Sequence, residues 1–447
     1  MTKRHGYALL ATIVAAVMVV SAAIYVGVAA DGGGRQNNLT SGSPSPHGSP
    51  VPAPAPASAD TWVGTWSASP AGAEPGTETD GMAGKSVRNV VHTSAGGTRA
   101  RITLSNLYGQ QPLTITDATI AVAATANNAA AVADTMTRLT FDGRTKVVVP
   151  SGEQVTSDPV RVRIPHDSDV LVTTFSPTRS GPVTYHPHAR QYSYIAEGDL
   201  AAEVTGTGYT EKTPYWRYVT AVDVLSDEAE GTVVTLGDSL TDGDASTVGA
   251  NHRWPDYLSD RLHASADSAG VPPYSVINQG IGGNQILASG SGRPADNPSA
   301  LSRFNRDVLG HPSVKVVVID LGINDILRNP DEVDPDTITE GLRTLVAEAH
   351  AHGVRVVGAT LMPFQGHGGY SEQREGVREA VNSAIRAGTV FDAVVDFDKA
   401  VRDPYNPHRF RADYDSGDHL HPSDKGYERM AQALDLHSLA GAASAAL

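Results

Sequence analysis

Apolar and polar residues follow two different patterns along the chain. From Trp62 to about Val224, many short runs alternate apolar with polar residues, for example 87–93, 99–105 and 160–164. This is the period of a strand that buries one face. Gly, Pro, Asn, Asp or Ser bound most of the runs, and no helical period lies between them. The pattern predicts an all-β region resembling a sandwich or jelly roll.

From Gly231 onward the pattern changes to short apolar runs separated by amphipathic segments. The runs predict strands over 232–236, 275–278, 314–321, 354–361 and 393–397. The segments between and after them predict helices over 337–352, over 373–387 and from Pro422 to about Leu434. Such alternation predicts an α/β fold in which helices flank both faces of a parallel sheet. The active sites of such sheets lie at the carboxyl ends of the strands.

The first sixty residues fit neither pattern. Lys3 and Arg4 precede an uncharged apolar stretch over 6–30, which ends in the small residues of a cleavage site. A membrane span needs about 20 apolar residues and a signal peptide about 7 to 15. We expect 1–30 to be a signal peptide or membrane anchor, which places the remainder outside the cytoplasmic membrane, secreted or anchored to its outer face. Whether this segment is cleaved stays open.

Residues 31–60 are rich in Pro, Ser and Gly and have no apolar periodicity, which predicts a disordered linker. The rest of the 447 residues is too long for one ordinary domain. We therefore predict a β-sandwich domain over 61–228 and an α/β catalytic domain over 229–437.

Charge and composition exclude several classes of partner and chemistry. A formal net charge of −15 argues against a nucleic-acid partner or an anionic membrane surface. The chain has no cysteine, which removes thiol catalysis, disulfides and Cys-based zinc sites.

Four short segments carry the candidate chemistry. The apolar run 233–236 leads into Gly-Asp-Ser-Leu and delivers Ser239 to the edge of the predicted sheet. Downstream lie 278–283 (Asn-Gln-Gly-Ile-Gly-Gly), 322–325 (Gly-Ile-Asn-Asp) and 418–422 (Asp-His-Leu-His-Pro). Together they offer a nucleophile, hydrogen-bond donors for an oxyanion, a base and a carboxylate that orients it.

These four segments, in this order, resemble the SGNH or GDSL-type hydrolase superfamily. The resemblance implies an SGNH-type fold, with Ser239 as nucleophile, His421 as base and Asp418 as its acid partner. It assigns the oxyanion hole to the backbone N–H groups of Ser239 and Gly283 and to the side-chain amide of Asn324. It implies no cofactor and no metal. No Gly-x-Ser-x-Gly surrounds Ser239, so the nucleophile elbow of the α/β-hydrolases does not present it.

Plainer interpretations exist for several of these residues. The glycines taken singly are typical of turns after strands. Asn324 and Asp325 are residue types that cap helices, and we expect that role of Asp325. Asp238 and Asp242 are expected to brace the turn that carries Ser239.

Two groups of residues beside the four segments have alternative interpretations. We interpret His419 as a solvated neighbour of the predicted base. The aromatic residues of the β-region favour packing over a carbohydrate platform; they are Trp62, Trp66, Tyr215 and Trp216.

Together these observations predict an exported serine esterase that cleaves carboxylic esters through an acyl-enzyme. Small polar residues surround the catalytic segments, and aromatic residues make up only 6% of the chain. We therefore expect short acyl groups, acetyl above all, on a small-molecule or carbohydrate ester. The β-domain resembles the module of acetylxylan-esterase-like members of the superfamily.

Three alternatives are kept open. A lipase or long-chain esterase of the same fold would need an apolar acyl cleft. A metal-dependent hydrolase could use the acidic and histidine residues that crowd one loop, which are Asp413, Asp415, Asp418, His419 and His421. A binding protein without catalysis is the third alternative.

Overall fold

The computed structural model describes residues 60–266, 268–290, 296–328 and 334–443. The predicted signal peptide or anchor and nearly all of the predicted linker lie outside these residues. Contacts group residues 58–447 into one compact unit. Within the described ranges, no helix combines the length and the apolar character needed to cross a membrane.

The first half of the described chain is built from antiparallel strands, as predicted. Its strands are β1 (Thr61–Ser67), β2 (Gly72–Ala73), β3 (Lys85–Thr93), β4 (Gly97–Ser105), β5 (Leu113–Ile115), β6 (Asp117–Val122), β7 (Thr137–Arg138), β8 (Val147–Val149), β9 (Gln154–Thr156), β10 (Val160–Ile164), β11 (Ser168–Ser176), β12 (Thr184–His186), β13 (Ser193–Glu197), β14 (Glu211–Thr213), β15 (Trp216–Arg217) and β16 (Val219–Ser226). A single 3₁₀ turn, Ala133–Thr135, precedes β7.

Two large sheets of this β-region share one core. One sheet has the order β1-β16-β4-β10, with β9 also paired to β4, and the other has the order β14-β13-β3-β11-β6-β7. Smaller sheets join β15-β12-β2 and β5-β8. Alternate side chains of the two large sheets, such as Ile102 and Val222 on one and Val87 and Val170 on the other, are fully or almost fully buried in the same apolar cluster. The alternating sequence pattern predicted one buried face for each strand; β3 and β11 also bury most of their other face, in a second apolar cluster.

The tryptophans of this region pack inside it. Trp66 and Trp216 are 5% and 3% exposed, and their rings meet edge to face at 4.9 Å. The indole N–H of Trp216 donates to the carbonyl of Val90 at 2.7 Å. Trp62 lies under the guanidinium of Arg101, 4.6 Å from the ring centre. Packing therefore accounts for these three tryptophans, the interpretation that the sequence favoured.

The second half contains a five-stranded sheet whose neighbouring strands are all parallel. The strand order is β18-β17-β19-β20-β21, and the strands are β17 (Gly231–Gly237), β18 (Tyr274–Gly280), β19 (Val314–Asp320), β20 (Arg355–Ala359) and β21 (Ala393–Val395). Each lies within two residues of its predicted bounds. The predicted parallel sheet is therefore confirmed.

Helices cover this sheet. The α-helices are α1 (Ser239–Asp242), α2 (Trp254–Ala264), α3 (Ala300–Phe304), α4 (Ile323–Arg328), α5 (Pro335–Ala351), α6 (Glu372–Arg386), α7 (Phe397–Val401) and α8 (Asp424–Ala433). A π-helical turn, Asn305–Leu309, extends α3, and 3₁₀ turns span Ala412–Tyr414 and Leu436–Leu439. Two separate apolar clusters contain residues of this sheet, with Val233 and Val316 in one and Val234 and Val317 in the other. Successive residues of a strand point to opposite faces, so helices pack on both sides.

The β-region packs against the β18 edge of the parallel sheet. The backbone N–H of Gly64 in β1 donates to Thr232 Oγ1 in β17 at 3.1 Å. The backbone N–H of Val276 in β18 donates to Ser94 Oγ at 3.1 Å. The change from antiparallel to parallel pairing falls between β16 and β17. The division into domains at 61–228 and 229–437 stays a prediction.

Candidate active site

Ser239 is the first residue of α1 and lies two residues after the end of β17. The sheet is buried up to this point, and Ser239 itself is 8% exposed. Asp238 caps the short helix by accepting from the backbone N–H of Leu240 at 3.0 Å. This is the bracing role that the sequence predicted for Asp238. The strand and the cap together fix the position of the serine at the carboxyl edge of the sheet.

The imidazole of His421 lies between Ser239 and Asp418. Its Nε2 is 2.9 Å from Ser239 Oγ, and its Nδ1 is 2.6 Å from Asp418 Oδ2. The structure therefore brings together the predicted nucleophile, base and orienting carboxylate, although 182 positions separate the serine from the histidine. A serine proton can pass to Nε2 in this arrangement, because Nδ1 donates to the carboxylate and leaves Nε2 as the acceptor.

Asp418 also shapes the turn that presents the histidine. Its Oδ1 accepts from the backbone N–H groups of Leu420 and His421 at 2.9 and 2.8 Å. Although burial alone would raise the pKa of Asp418, the hydrogen bonds from His421 and from these backbone groups hold it well below its usual range. Asp418 is thus an ionised partner for His421 near neutral pH.

The pKa of His421 is raised. Burial alone would lower it, but the hydrogen bond to Asp418 and the charge of Asp244 outweigh that effect. Asp244 Oδ2 lies 3.8 Å from His421 Nε2 on the solvent side. Both carboxylates favour the imidazolium, which is the form that the base takes once it has accepted a proton.

The two other predicted oxyanion residues follow β18 and β19, the strands on either side of β17. Gly283 lies three residues after β18 and has φ of +74°, a conformation that favours glycine. A Cβ there would meet Arg328 Nη2 at 2.5 Å. Asn324 is in the first turn of α4, after β19, and its Nδ2 donates to Asp238 Oδ2 at 2.9 Å. The second hydrogen of this amide is left for another acceptor.

Buried carboxyl groups collect beneath the nucleophile. Burial raises the pKa of Asp238 to about 7 and that of Asp325 to about 6. Burial, together with the charge of Asp238, raises the pKa of Asp320 well above its ordinary value.

Asp325 does not cap its helix as expected. Its carboxylate accepts from the backbone N–H groups of Ile286 and Leu287 at 2.9 and 3.0 Å and so supports the loop after Gly283.

A buried arginine connects the loops below the site. Arg303 Nη2 donates to the carbonyl of Gly237 at 2.9 Å, and Nη1 donates to the carbonyl of Gln279 at 2.7 Å. Its Nε donates to Asn284 Oδ1 at 3.1 Å, and Nη1 pairs with Asp307 at 3.0 Å. These bonds tie the ends of β17 and β18, which lead to Ser239 and Gly283, to one rigid side chain.

The β-region reaches the site through two histidines at the end of β12 and in the loop that follows. His186 Nε2 lies 3.0 Å from Asp242 Oδ1, and the other oxygen of Asp242 accepts from the backbone N–H of Gly282 at 3.1 Å. His188 faces Gly282, where an added Cβ would lie 3.4 Å from its ring. The Asp242 carboxylate therefore bonds to the glycine loop and to the β-region rather than to the backbone of the turn that carries Ser239, where it was expected to act, and it connects the two halves of the molecule.

The loop proposed as an alternative metal site is paired differently. His419 Nδ1 is 2.6 Å from Asp415 Oδ2, and Asp413 accepts from Arg411 at 3.3 Å. His419 is thus an exposed neighbour of His421, as interpreted from the sequence.

Among the described residues, one group of three side chains has possible metal-ligand atoms close to one another. It lies outside this loop and consists of Glu375, Glu379 and His408. Both oxygens of Glu375 already accept from Arg378.

Three residues that shape the site were not predicted from the sequence: Arg303, Asn284 and His186. Asn284 follows the Gly282-Gly283 pair directly, and Arg303 lies four residues before Asp307, the spacing of a helical ion pair, so both had a local signal. His186 had none, because its partner lies 56 positions away in the other half of the chain.

One protein-family model matches the second half of the chain. Residues 235–429 match the model of the GDSL-like lipase/acylhydrolase family. This segment holds Ser239, Gly283, Asn324, Asp418 and His421. No curated protein matches the chain.

Several solved structures resemble the catalytic half. A protein described as lipolytic and of the G-D-S-L family, from Desulfitobacterium hafniense, shares 23% identity with a TM-score of 0.34; the match covers 45% of this chain and 96% of that one. A carbohydrate acetylesterase of Sinorhizobium meliloti shares 17% identity with a TM-score of 0.35, covering 45% and 95%. The aryl esterase of M. smegmatis has the same four values. On the strength of the family match, residues 235–429 belong to the GDSL-like lipase/acylhydrolase family, and the protein is a carboxylic ester hydrolase.

Proposed function

We propose that the protein cleaves its ester through a covalent acyl-serine, with Ser239 as nucleophile, His421 as general base and Asp418 as the carboxylate that orients it. The observation that carries this proposal is the continuous hydrogen-bonded chain from Ser239 Oγ through both ring nitrogens of His421 to Asp418. A serine hydroxyl needs such a base because its own pKa leaves it protonated near neutral pH.

The reaction has two balanced halves. Ser239 Oγ attacks the ester carbonyl carbon as His421 Nε2 takes the hydroxyl proton, and the tetrahedral intermediate collapses when His421 returns that proton to the departing alcohol. A water molecule then gives a proton to His421 and attacks the acyl carbon. The second intermediate collapses as His421 returns this proton to Ser239 Oγ, which breaks the bond to the acyl carbon, releases the carboxylic acid and restores Ser239 and neutral His421. Asp418 stays ionised throughout and stabilises the imidazolium.

The negative oxygen of each intermediate needs hydrogen-bond donors. We assign these to the backbone N–H groups of Ser239 and Gly283 and to Nδ2 of Asn324. The bond from Asn324 to Asp238 supports this assignment, because it fixes the amide plane while one hydrogen stays available. One donor of this kind is worth about 3 to 4 kcal/mol in the transition state.

The proposed substrate is an ester of a short acyl group, acetyl in the first place. Its alcohol is a carbohydrate or a similar polar molecule. The side chains near the proposed triad and oxyanion loop support this class, because Asp244, His188 and Arg328 are polar. A long acyl chain gains about 0.8 kcal/mol for each methylene that it buries, which requires an apolar cleft.

We also propose that the enzyme acts outside the cytoplasmic membrane. The support is the sequence alone, with Lys3 and Arg4 followed by the apolar stretch 6–30. Cell fractionation tests this: full-length enzyme that is soluble in the cytoplasm contradicts export. A mature form that begins near Asp31 would indicate cleavage, and full-length protein in the membrane fraction would indicate an anchor.

Single substitutions test the mechanism. Ser239→Ala and His421→Ala are expected to bring ester turnover close to background without loss of folding. A fluorophosphonate should label the natural protein and leave Ser239→Ala unlabelled. His419→Ala is the matched control, because this histidine is two residues from His421 but bonds to Asp415. Near-normal turnover in Ser239→Ala, or loss of activity in EDTA that zinc restores, contradicts the mechanism.

A series of p-nitrophenyl esters tests the substrate class. We expect kcat/KM to be highest for acetate and to fall through butyrate, octanoate and palmitate. A maximum at octanoate or a longer chain would favour the lipase alternative. Release of acetate from an acetylated polysaccharide tests the alcohol.

A further inference from the structure

The contact between His186 and Asp242 is a buried pair that joins the β-region to the catalytic half. His186 ends β12, and Asp242 ends α1, the helix that begins with Ser239. Their side chains are 4% and 5% exposed, and Nε2 lies 3.0 Å from Oδ1. Two groups this well removed from water cost free energy unless each finds a partner.

The geometry indicates that His186 is an imidazolium. Its second nitrogen, Nδ1, lies 2.8 Å from the carbonyl oxygen of Ser69. Carbonyl and carboxylate oxygens only accept, so both ring nitrogens must donate, and both donate only when the ring is protonated. Burial opposes the charged form, but the charge and hydrogen bond of Asp242 outweigh it and raise the pKa of His186.

Asp242 passes this interaction on to the glycine loop. Its Oδ2 accepts from the backbone N–H of Gly282 at 3.1 Å, while its Oδ1 faces His186. One carboxylate therefore holds the helix of Ser239 and the residue before Gly283 at a fixed separation. Among the described residues, His186 is the cation that contacts this carboxylate; nearby Arg253 pairs with Asp256 at 2.7 Å.

We infer that His186 is a positioning residue of the oxyanion hole and that the β-region is therefore part of the catalytic centre. The imidazolium holds the Asp242 carboxylate in place, Asp242 holds the N–H of Gly282, and Gly282 places the N–H of Gly283. The inference rests on the proposed function as far as the oxyanion role of Gly283 is concerned.

Replacing the histidine by an apolar residue removes both the charge and the donor. In His186→Leu, the Asp242 carboxylate stays buried without the donor to its Oδ1, so it holds the N–H of Gly282 less firmly. We expect kcat for p-nitrophenyl acetate to fall about 10- to 100-fold, while KM changes little. This decrease in kcat is no larger than the decrease expected when an oxyanion donor is removed altogether. An effect on kcat alone separates positioning of the transition state from loss of substrate binding.

His92 offers a matched control. It is also a histidine of the β-region, in β3, and its two nitrogens face Asp169 and Asp167 at 3.0 and 2.9 Å. Its contacts do not include Asp242 or the glycine loop. We expect His92→Leu to lower the melting temperature by an amount similar to His186→Leu and to leave kcat unchanged.

His186→Gln keeps the test valid if the leucine variant folds poorly. A glutamine amide can still donate to Asp242 Oδ1 but carries no charge. We expect its kcat to lie between the values of the natural enzyme and of His186→Leu, because half of the interaction remains.

Hydrogen exchange supplies a readout that does not depend on ester hydrolysis. In His186→Leu the amide of Gly282, in a peptide spanning 280–285, should exchange at least about tenfold faster than in the natural protein and in His92→Leu. Unchanged exchange there, or equal losses of kcat in the two leucine variants, overturns the inference. If the natural protein hydrolyses no ester while the exchange result holds, the proposed function fails and the structural link stands.

Discussion

The side-chain amide of Asn324 donates to Asp238 Oδ2 at 2.9 Å, so the residue before the nucleophile holds the proposed third oxyanion donor. Asp238 also caps the helix that begins with Ser239. One buried carboxylate thus sets the distance between the nucleophile and the amide. Two features 86 positions apart in the chain depend on it.

The first prediction concerns this carboxylate. Asp238→Asn keeps the shape of the side chain but leaves one oxygen to serve both Leu240 and Asn324. We expect kcat to fall about tenfold, because one of the two bonds is lost and the amide is less well held. Thermal stability should change little near pH 7, since burial already raises the pKa of Asp238 to about 7. A kcat within twofold of the natural value would contradict the prediction.

The second prediction concerns pH. His421 must be neutral to accept the serine proton, and the carboxylates of Asp418 and Asp244 raise its pKa, so activity should be lost as pH falls through a value above about 6.5. In Asp244→Asn one charge that favours the imidazolium is gone, and the acid limb should move to lower pH. The profile of kcat/KM from about pH 5 to 9 checks this. A shift of the acid limb of Asp244→Asn to higher pH would contradict the prediction.

The third prediction concerns the glycine loop. In Gly283→Ala the new Cβ meets Arg328 Nη2 at 2.5 Å, and the φ of +74° is strained for alanine. We expect kcat to fall at least tenfold, with a loss of about 1 kcal/mol in the free energy of unfolding. Gly353→Ala is the control, because Gly353 has φ of +72° with nothing within 4 Å of the added Cβ. Gly353→Ala should lose a similar free energy of unfolding and keep its kcat. Equal losses of kcat in the two variants would contradict a specific effect at the glycine loop.

The fourth prediction concerns Arg303. Arg303→Met removes the donors to Gly237 and Gln279 and one of the cations beside buried Asp307. We expect the free energy of unfolding in urea to fall by about 3 kcal/mol or more, because buried acceptors and part of a buried charge lose their partner. Arg343→Met removes an exposed pair with Glu340 and should cost under about 1 kcal/mol. Similar losses in both variants would argue against the proposed role of Arg303.

Local sequence determined much of the fold and of the proposed triad. The alternation of apolar residues predicted the antiparallel region, and the short apolar runs from 232 onward predicted the five parallel strands, because burial on one face or on two leaves a pattern within a few neighbouring residues. Asp418 and His421 were predicted together because their segment, with its three-residue spacing, resembles that of the SGNH or GDSL-type superfamily. Ser239 was predicted because it lies just after an apolar run, in a Gly-Asp-Ser-Leu segment.

Only the tertiary structure decided how the β-region meets the site. His186 and Asp242 form a pair across two different sheets, and Arg303 bonds to the ends of two strands that precede it in the chain by 24 and 66 positions. Such contacts depend on the relative placement of whole elements, and neither partner carries a periodic or spaced signal for the other. The sequence by itself therefore determined the elements and the candidate reactive side chains, whereas the packing of the two regions decided what holds the loop of Gly282 and Gly283 in place.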